Sequence, residues 1–247
     1  MKKTLLKWFF KGFFKTVRYD GFSTVLWRAL KLCLLPFGTI GMVELCRKDL
    51  TKPLDEKHAA VPVDIDQAYA SDVDELVALV EKRYGPVKNI EWYSRLGIRG
   101  TILDRFQHGA KCFVARIDGK SVHYNWIFFH HQEWVPGTKR YINLKDGEAF
   151  CDDGFTLEPW RGKSIHMAVN FRMLLFLKQA KYLHAYTVVS SYNKSSQKAL
   201  SRINWEFFCT MLFFTPRWAK RAWVWQFKGE IALLIERETK ELPAKVL

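Results

Sequence analysis

A basic turn, Arg161-Gly162-Lys163-Ser164, constrains this chain more than any other segment, because it joins two elements of different periodicity. The short apolar segment before it, residues 148–157, predicts a strand, and the apolar-periodic run after it, which ends near Ala180, predicts a helix. A β-rich segment follows at residues 182–190. Backbone N–H groups at a helix start have no partner within the helix and carry partial positive charge. The turn is therefore predicted to bind an anion.

The charge of the whole chain favours an acidic partner. The 247 residues contain 39 Lys and Arg against 25 Asp and Glu, a net charge of +14. Matching partners are nucleic acid, an anionic membrane, a phosphorylated cofactor or an acidic carrier protein. A hydrophobic content of 49% is typical of a globular protein. The five cysteines are odd in number and never spaced as C-x-x-C, which argues against a disulfide framework or zinc site and fits a reducing, cytoplasmic compartment.

The N-terminus has the pattern of a basic amphipathic helix. Lys3, Lys7, Lys11 and Lys15 recur every four residues, with aromatic and leucine residues between them. Such a helix lies in the headgroup plane of an anionic membrane, and it does not span because lysine interrupts every turn. Two interpretations of residues 1–45 stay open: a membrane-surface segment, or a helical hairpin packed on the core. Nucleic-acid binding is disfavoured, since phosphate contact needs no large aromatic surface.

A domain boundary is predicted near residue 60, because residues 47–64 are charged, contain two prolines and are typical of a linker. The chain then divides into a basic amphipathic helical segment at 1–60 and a folded domain at 61–247. The elements predicted in the domain are a strand at 63–69, helices ending near Gly85 and spanning 91–106, a hairpin around Asp118-Gly119, the strand, basic turn, helix and strand described above, a helix within 191–203, and β runs at 205–214 and 222–228.

Two motifs in this order of elements resemble the GNAT superfamily of acyl-CoA N-acyltransferases. Arg161-Gly-Lys-Ser-Ile-His166 follows a strand and is similar to the family's pyrophosphate turn, Arg/Gln-x-x-Gly-x-Gly/Ala. Asn193-x-x-Ser196, with Asn204-Trp205, follows the next strand and is similar to its later helix. The resemblance covers roughly residues 62–228. It implies an α/β (α+β) fold with a mixed central sheet flanked by helices, and acetyl-CoA or another acyl-CoA as co-substrate.

The resemblance also implies which residues bind the co-substrate. The pyrophosphate would lie on the basic turn, and the thioester carbonyl beside the strand at 150–156, whose splayed backbone N–H groups would donate to the oxyanion. Asn193 would meet the pantetheine arm. The implied cofactor-binding residues are Phe155, Thr156, Leu157, Arg161, Gly162, Lys163, Ser164, Ile165, His166, Asn193 and Ser196.

Three positions depart from the family pattern. Ser164 and His166 stand where the family prefers small residues, Gly at the first and Gly or Ala at the second. Ser164 still supplies a donor and a helix cap, whereas His166 would either contact phosphate as a cation or crowd the site. The tyrosine that many members use as a general acid falls at Leu200, which cannot donate a proton. Tyr192 or water is then left to protonate the leaving thiolate.

An acceptor amine must lose a proton, so a carboxylate or histidine is expected in the cleft. Glu148, Asp152 and Asp153 flank the strand that would face the acyl group. Strand alternation places the two aspartates on opposite faces, so at most one of them would face the substrate. With His166, these three are the candidate catalytic residues, and the choice among them stays open.

Neither a metal nor a covalent cysteine is expected. His130 and His131 are adjacent and would point to opposite faces of a strand, and neither they nor His123 have a Cys or acidic partner at ligand spacing. Cys151 lies near the implied site, but its acidic neighbours would raise the pKa of its thiol.

The expected function is a membrane-associated acyltransferase at the inner face of the cytoplasmic membrane. It would move an acetyl or other acyl group from acyl-CoA to an amine, such as an amino sugar or a lipid-linked surface-glycan precursor. Two alternatives remain: an N-acyltransferase that takes a long acyl chain from acyl carrier protein, and a catalytically silent GNAT-like module that binds a membrane or partner. Whether the N-terminal helices also mediate a homodimer is left open.

Overall fold

A computed structural model describes residues 22–85, 96–129, 132–135, 138, 140–219, 222–228 and 234–235. The helices within these ranges are α1 (Phe22–Leu34), α2 (Val73–Tyr84), α3 (Gly97–Gln107), α4 (Ile165–Gln179) and α5 (Lys194–Arg202). The strands are β1 (Gly38–Asp49), β2 (Asp64–Ala68), β3 (Lys111–Ile117), β4 (Lys120–Phe128), β5 (Gln132–Val135), β6 (Arg140–Asn143), β7 (Glu148–Thr156), β8 (His184–Ser190), β9 (Glu206–Pro216), β10 (Trp223–Lys228) and β11 (Leu234–Ile235).

Eight strands form one sheet in the order β10-β9-β1-β8-β7-β4-β3-β2, and β11-β6-β5 form a second, smaller sheet. Neighbours in the large sheet are antiparallel except β7 and β8, which run parallel. A parallel pair needs a crossover connection, and the basic turn with α4 supplies it. The predicted mixed sheet flanked by helices is confirmed, as are the hairpin and the strand, turn, helix and strand around the basic turn.

Helices cover both faces of the large sheet. Ala115 of β3 packs in one buried cluster with Met173 of α4, and its neighbour Val114 packs in another with Ile102 of α3. Successive residues of a strand face opposite sides, so one strand contributes to both layers. Burial of each such aliphatic side chain contributes about 1.5–3 kcal/mol. The sheet is therefore held between α4 on one face and α2 with α3 on the other.

The prediction of a helical segment over residues 1–60 is wrong for its second half. Residues Gly38–Asp49 form β1, which lies inside the large sheet between β8 and β9. Val43, for example, pairs with Ser190 on one side and Met211 on the other. Gly41 permits close packing there, since a Cβ at this position would lie 2.1 Å from the Phe213 ring. Partners this distant in sequence leave no local signal, which is why the pairing was not predicted.

The predicted linker is packed against the domain instead of separating two domains. Lys178 of α4 donates to the carbonyl of Leu50 at 2.6 Å and to that of Lys52 at 2.7 Å. The Ala60 amide donates to the carbonyl of Lys163, in the basic turn, at 2.9 Å. These bonds use backbone groups of the segment and hold it against α4 and the basic turn. The boundary near residue 60 is therefore not a boundary between separate units.

Several predictions fall outside the described residues. They are the amphipathic helix at residues 1–18, the first part of the helix expected from residue 91, and the side chains of His130 and His131. Within the described ranges, every helix is too short or too polar to cross a membrane.

Candidate active site

The parallel strands β7 and β8 separate after a short contact. They pair only over Glu148–Phe150, opposite His184, Ala185 and Tyr186. On its other side β7 stays paired with β4 as far as Thr156. Beyond Phe150 the β8-facing backbone groups of β7 therefore point into an opening. The expected splay beside this strand is present.

A bulge in β7 changes which way its aspartates face. Asp152 pairs with Trp126 and Phe155 with Tyr124, so Asp153 and Gly154 together oppose one residue of β4. Asp153 adopts a φ of 58°, in the left-handed region, as expected of a bulged residue. Asp152 and Asp153 both line the same cavity. The prediction that alternation separates the two aspartates is therefore wrong, because the bulge breaks the alternation.

Two cavities open on the separation of β7 and β8. The first, the turn cavity, has a volume of about 550 Å³ and is bordered by the basic turn, α5 and the end of β7. The second, the carboxylate cavity, has a volume of about 500 Å³ and is bordered by α2, α3, β5 and the middle of β7. Gly154, His166, Asn193 and Ser196 line both, as does Arg83. The two cavities thus meet where the strands diverge.

The turn cavity has the features of an anion site. Gly162 and Ser164 have φ values of 78° and 58°, which let the chain turn sharply before α4 begins. The first amides of α4 then lack partners within the helix and face the cavity. Arg161, on the same turn, is held by a bond from Nε to the Thr156 carbonyl at 3.1 Å. Lys198 and Arg202 add charge from the opposite wall, so the local field favours a group such as pyrophosphate.

Most of the predicted cofactor-binding residues line this cavity, and two do not. Lining residues are Phe155, Thr156, Arg161, Gly162, Ser164, Ile165, His166, Asn193 and Ser196. Leu157 does not, because its amide donates to the Val122 carbonyl at 2.9 Å and its side chain packs in the core. Lys163 does not line it either, and its ammonium lies over the Trp160 ring, 5.1 Å from the centroid.

Asn193 caps α5 as well as lining both cavities. Its Oδ1 accepts a hydrogen bond from the Ser196 amide at 3.1 Å. That bond uses the carbonyl oxygen of the side chain and leaves the amide group to face the cavities.

His166 is neutral at the junction of the cavities. Burial lowers its pKa to about 4, so it cannot contact a phosphate as a cation at neutral pH. Its ring centroid lies 5.4 Å from that of His123. Burial, and then the nearby His166, lower the pKa of His123 well below its usual value. His123 Nδ1 contacts the Thr156 hydroxyl at 2.7 Å, and its buried Nε2 has no hydrogen-bond partner in the part of the chain that the structure describes. His166 lines both cavities, whereas His123 lines neither, so only His166 of this pair faces a ligand.

Asp153 is held by two arginines. Arg83 Nη1 lies 2.6 Å from Oδ1, and Arg105 Nη1 lies 2.5 Å from Oδ2. The Asp153 side chain is only 9% exposed. A carboxylate bonded by two guanidinium groups is a weak proton acceptor, since protonation would cost both ion pairs. Asp153 is therefore a structural residue of the cavity wall and a poor choice for the base.

Asp152 and Glu133 are the carboxylates of the cavity that suit proton transfer. Burial and then the charge of Asp153 raise the pKa of Asp152 to about 6. Burial and then the charge of Asp152 raise the pKa of Glu133 to about 8. Both side chains line the carboxylate cavity. A general base is most effective when its pKa lies near the working pH.

The remaining sequence candidates lie elsewhere. Glu148 accepts from the Tyr186 hydroxyl at 3.0 Å and from the Lys145 amide at 2.8 Å, within the closed part of the β7–β8 pair, and it lines neither cavity. Tyr192 packs under Lys31 of α1, with Nζ 4.0 Å from the ring centroid, and lines neither cavity. Burial and then Asp152 raise the pKa of the Cys151 thiol, as expected. In the described ranges no cluster of His, Cys, Asp or Glu could hold a metal ion.

Sequence reasoning missed Glu133, Arg83 and Arg105. Glu133 lies in a polar stretch between strands, where an acidic residue is ordinary, and the two arginines lie on helix faces whose partners are distant in sequence. The only usable signal was the position of Arg105 at the end of a predicted helix next to a hairpin. It did not indicate a partner.

Comparisons with known proteins concern the fold. No protein-family model matches the chain, and no curated protein matches it in sequence. A GCN5-related N-acetyltransferase from Sphaerobacter thermophilus is similar in structure, with a TM-score of 0.50 and 10% identity over 81% of this chain and 56% of that protein. A functionally unknown conserved protein from Staphylococcus epidermidis has a TM-score of 0.45 and 12% identity, over 75% of this chain and 62% of the other.

A third similar structure is the aminoglycoside N-acetyltransferase AAC(6')-Iy in complex with a CoA bisubstrate analogue. It has a TM-score of 0.45 and 16% identity, over 59% of this chain and 92% of that protein. The match spans less than two thirds of the Sphaerobacter and Staphylococcus proteins. With the splayed parallel pair and the turn before α4, the chain has the GNAT N-acetyltransferase fold.

Proposed function

We propose that this protein is an N-acyltransferase that transfers an acetyl or other short acyl group from acyl-CoA to an amine. The observation that carries the proposal is the meeting of a cationic and an anionic cavity at the separation of β7 and β8. Arg161, Lys198 and Arg202 surround the turn cavity, whereas Asp104, Glu133 and Asp152 line the other. The first suits the pyrophosphate of CoA and the second suits an amine.

The residues present fit acyl-CoA as co-substrate. The turn has unpaired amide groups at the start of a helix, and basic side chains lie on two sides of it. The cavity volume of about 550 Å³ lies within the usual range of about 300–1,000 Å³ for small-molecule sites. When bound, acyl-CoA supplies an activated thioester carbonyl. The amide groups at the start of α4, from Ser164 to Met167, and the side chain of Asn193 would hold it.

The protein's residues would then position the reacting atoms. Backbone N–H groups of β7 beyond Phe150 face the opening and would donate to the developing oxyanion. Asp152 would take a proton from the attacking amine. Neutral His166 lies where the cavities meet and adds no charge there. Leu200 lines the carboxylate cavity and cannot donate a proton, so water would protonate the leaving thiolate.

Calorimetric titration with acetyl-CoA tests the donor side, and release of free thiol in the presence of a panel of primary amines tests transfer. We expect acetyl-CoA to bind and at least one amine to release thiol. The Arg172→Ala variant is a matched control, because Arg172 is an exposed cation of α4 that lines neither cavity. Binding without any transfer to amines would leave the silent-module alternative in place.

A donor carried on acyl carrier protein is the second candidate, favoured by the net charge of +14. Thermal-shift measurements with acetyl-CoA and with acyl carrier protein distinguish the two donors. Stabilisation by the carrier alone would overturn the CoA proposal.

We also propose that the protein works at an anionic membrane, at the inner face of the cytoplasmic membrane. Large apolar side chains are exposed on α1 and near β10: Leu26 is 56% exposed, Trp218 71% and Trp223 55%. Residues 1–21 precede α1 and contain six Lys and Arg against one Asp. Exposed aromatics beside a basic segment are typical of surfaces that bind anionic lipid.

Sedimentation with vesicles tests this proposal. The deletion must stop at residue 21, because removing residues 1–45 would also remove most of β1. We expect the full chain to sediment with phosphatidylglycerol vesicles and the shortened chain to remain in the supernatant. Equal sedimentation with phosphatidylcholine alone would contradict a role for anionic lipid.

A further inference from the structure

Glu133 is a partly buried carboxylate, and one of its oxygens lacks a hydrogen-bond partner among the described residues. It lies on β5, in the small sheet, and reaches the carboxylate cavity, which is otherwise lined by the large sheet and its helices. Its Oε1 is fully buried and has no hydrogen-bond partner among the described residues. Burying a polar atom without a hydrogen-bond partner is unfavourable. A ligand that completes the hydrogen bonds of Glu133 best explains why an unpaired carboxylate oxygen lies at this position.

The other charges of the cavity show which ligand would do so. Arg83 and Arg105, the cations that line it, both bond to Asp153. The carboxylates of Asp104, Glu133 and Asp152 therefore exceed the cations left to neutralise them. A cationic group is the complement of this arrangement, and an anionic one would be repelled.

We propose that Glu133 binds the ammonium group of the acceptor, so that the acceptor is a primary amine that arrives as a cation and carries no anionic group close to its nitrogen. This inference rests on the proposed function. It adds a class of acceptor and a residue for its recognition. Amino acids and amines with an adjacent phosphate are excluded, while amino sugars without one are accepted.

The proton balance is consistent with two carboxylates in the cavity. The bound ammonium gives one proton to Asp152, which passes it to solvent, and the free amine then attacks the thioester carbonyl. The N–C bond forms and the C–S bond breaks. The second proton passes from the nitrogen to Asp152 as the tetrahedral intermediate collapses, and the released thiolate takes a proton from water. Burial and then the charge of Asp152 raise the pKa of Glu133 to about 8, so Glu133 is largely protonated in the empty cavity and gives its proton to solvent as the ammonium binds beside it.

The experiment compares Glu133→Gln with the wild type and with Glu81→Gln, a matched control on the exposed side of α2. Probes are glucosamine and propylamine as cations, and glycine as an amine whose carboxylate lies close to its nitrogen. We expect Glu133→Gln to raise the KM for both cationic amines by about tenfold or more, as loss of a charged hydrogen bond predicts. The Kd for acetyl-CoA and all values for Glu81→Gln should stay at the wild-type level.

Further readouts separate recognition from folding. Glu133→Asp keeps the charge and should restore part of the amine affinity, and circular dichroism of each variant checks its folding. An unchanged KM in Glu133→Gln, or transfer to glycine as efficient as to propylamine, would overturn the inference. So would acetyl-CoA binding with no transfer to any cationic amine. Failure of the wild type to bind acetyl-CoA would instead count against the proposed function.

Discussion

The two cavities differ in both charge and construction. The turn cavity is lined by Arg83, Arg161, Lys198 and Arg202, and by no acidic side chain of the described residues, whereas the carboxylate cavity is lined by four acidic side chains and two arginines. The turn cavity comes largely from one continuous stretch, β7 through α5. The carboxylate cavity gathers α2, α3, β5 and β7. A donor site can be encoded locally, while an acceptor site of this kind depends on the assembled topology.

Removing the charge that holds the carboxylate cavity together should have the largest effect. Asp153→Ala leaves Arg83 and Arg105 without their shared partner in a largely buried position. Breaking a buried pair in this way costs about 3–5 kcal/mol. We expect the free energy of unfolding, measured with urea, to fall by about 3 kcal/mol.

Asp153→Asn distinguishes the effect of losing the charge from the effect of changing the backbone conformation. Asparagine adopts positive φ readily, so it suits the left-handed conformation of the bulge while removing the ion pairs. We expect the free energy of unfolding of Asp153→Asn to fall by most of the amount predicted for Asp153→Ala. If Asp153→Asn were as stable as the wild type, the two arginines would not depend on this carboxylate, and the contrast between the cavities would lose its basis.

Asp152→Asn should abolish proton removal while leaving the donor side intact. A positioned general base contributes about 10²–10⁴-fold, so we expect the transfer rate at pH 7 to fall at least about 100-fold. In the wild type the rate should rise as pH increases through about 6, because the carboxylate accepts a proton only when ionised and its pKa lies there.

The pH profile is the decisive measurement for Asp152. The limb near pH 6 should disappear in Asp152→Asn, and the Kd for acetyl-CoA should not change. Glu133, His166 and the Arg83–Asp153–Arg105 group also face the cavity. A limb that persists near pH 6 in the variant would assign the titration to one of these neighbours instead.

The different construction of the cavities also explains what the sequence predicts well. The turn from Arg161 to Ser164 lies between a strand and a helix whose periodicities are local, so its position and its anion-binding character follow from the chain itself. Asn193 and Ser196 come one strand later and are equally local. These residues were predicted, and they line the turn cavity.

The acceptor side depends on features that no local pattern carries. One extra residue in β7 turns Asp152 and Asp153 towards one cavity, contrary to strict alternation. Glu133 becomes a site residue only because the small sheet brings β5 there. The placement of β1 between β8 and β9 depends on pairing with residues far away in the chain, and the helical interpretation of residues 38–49 gave way to it.

Arg161→Ala should weaken the donor side by a moderate amount. One charged hydrogen bond to a phosphate is worth about 1.5–3 kcal/mol, so we expect the Kd for acetyl-CoA to rise by about tenfold or more. Acetyl-pantetheine lacks the pyrophosphate, and its Kd should not change. Arg172→Ala provides the control, because Arg172 lies on α4, the helix that follows the turn. Equal losses for the two ligands would mean that Arg161 acts through the fold of the turn and not on the phosphates.

Substitutions of Asn193 should have the smallest effects, and they distinguish its role in capping α5 from its role in binding the ligand. Asn193→Ala removes the bond from the Ser196 amide, and loss of a helix cap costs about 1 kcal/mol. Asn193→Ser keeps a capping oxygen but removes the side-chain amide, so its free energy of unfolding should stay close to that of the wild type. If the amide binds the pantetheine arm, Asn193→Ser should weaken acetyl-CoA and acetyl-pantetheine alike, in contrast to Arg161→Ala. Unchanged binding of both ligands in Asn193→Ser would confine Asn193 to capping α5, and the residues shared by the two cavities would then hold the structure without holding the substrate.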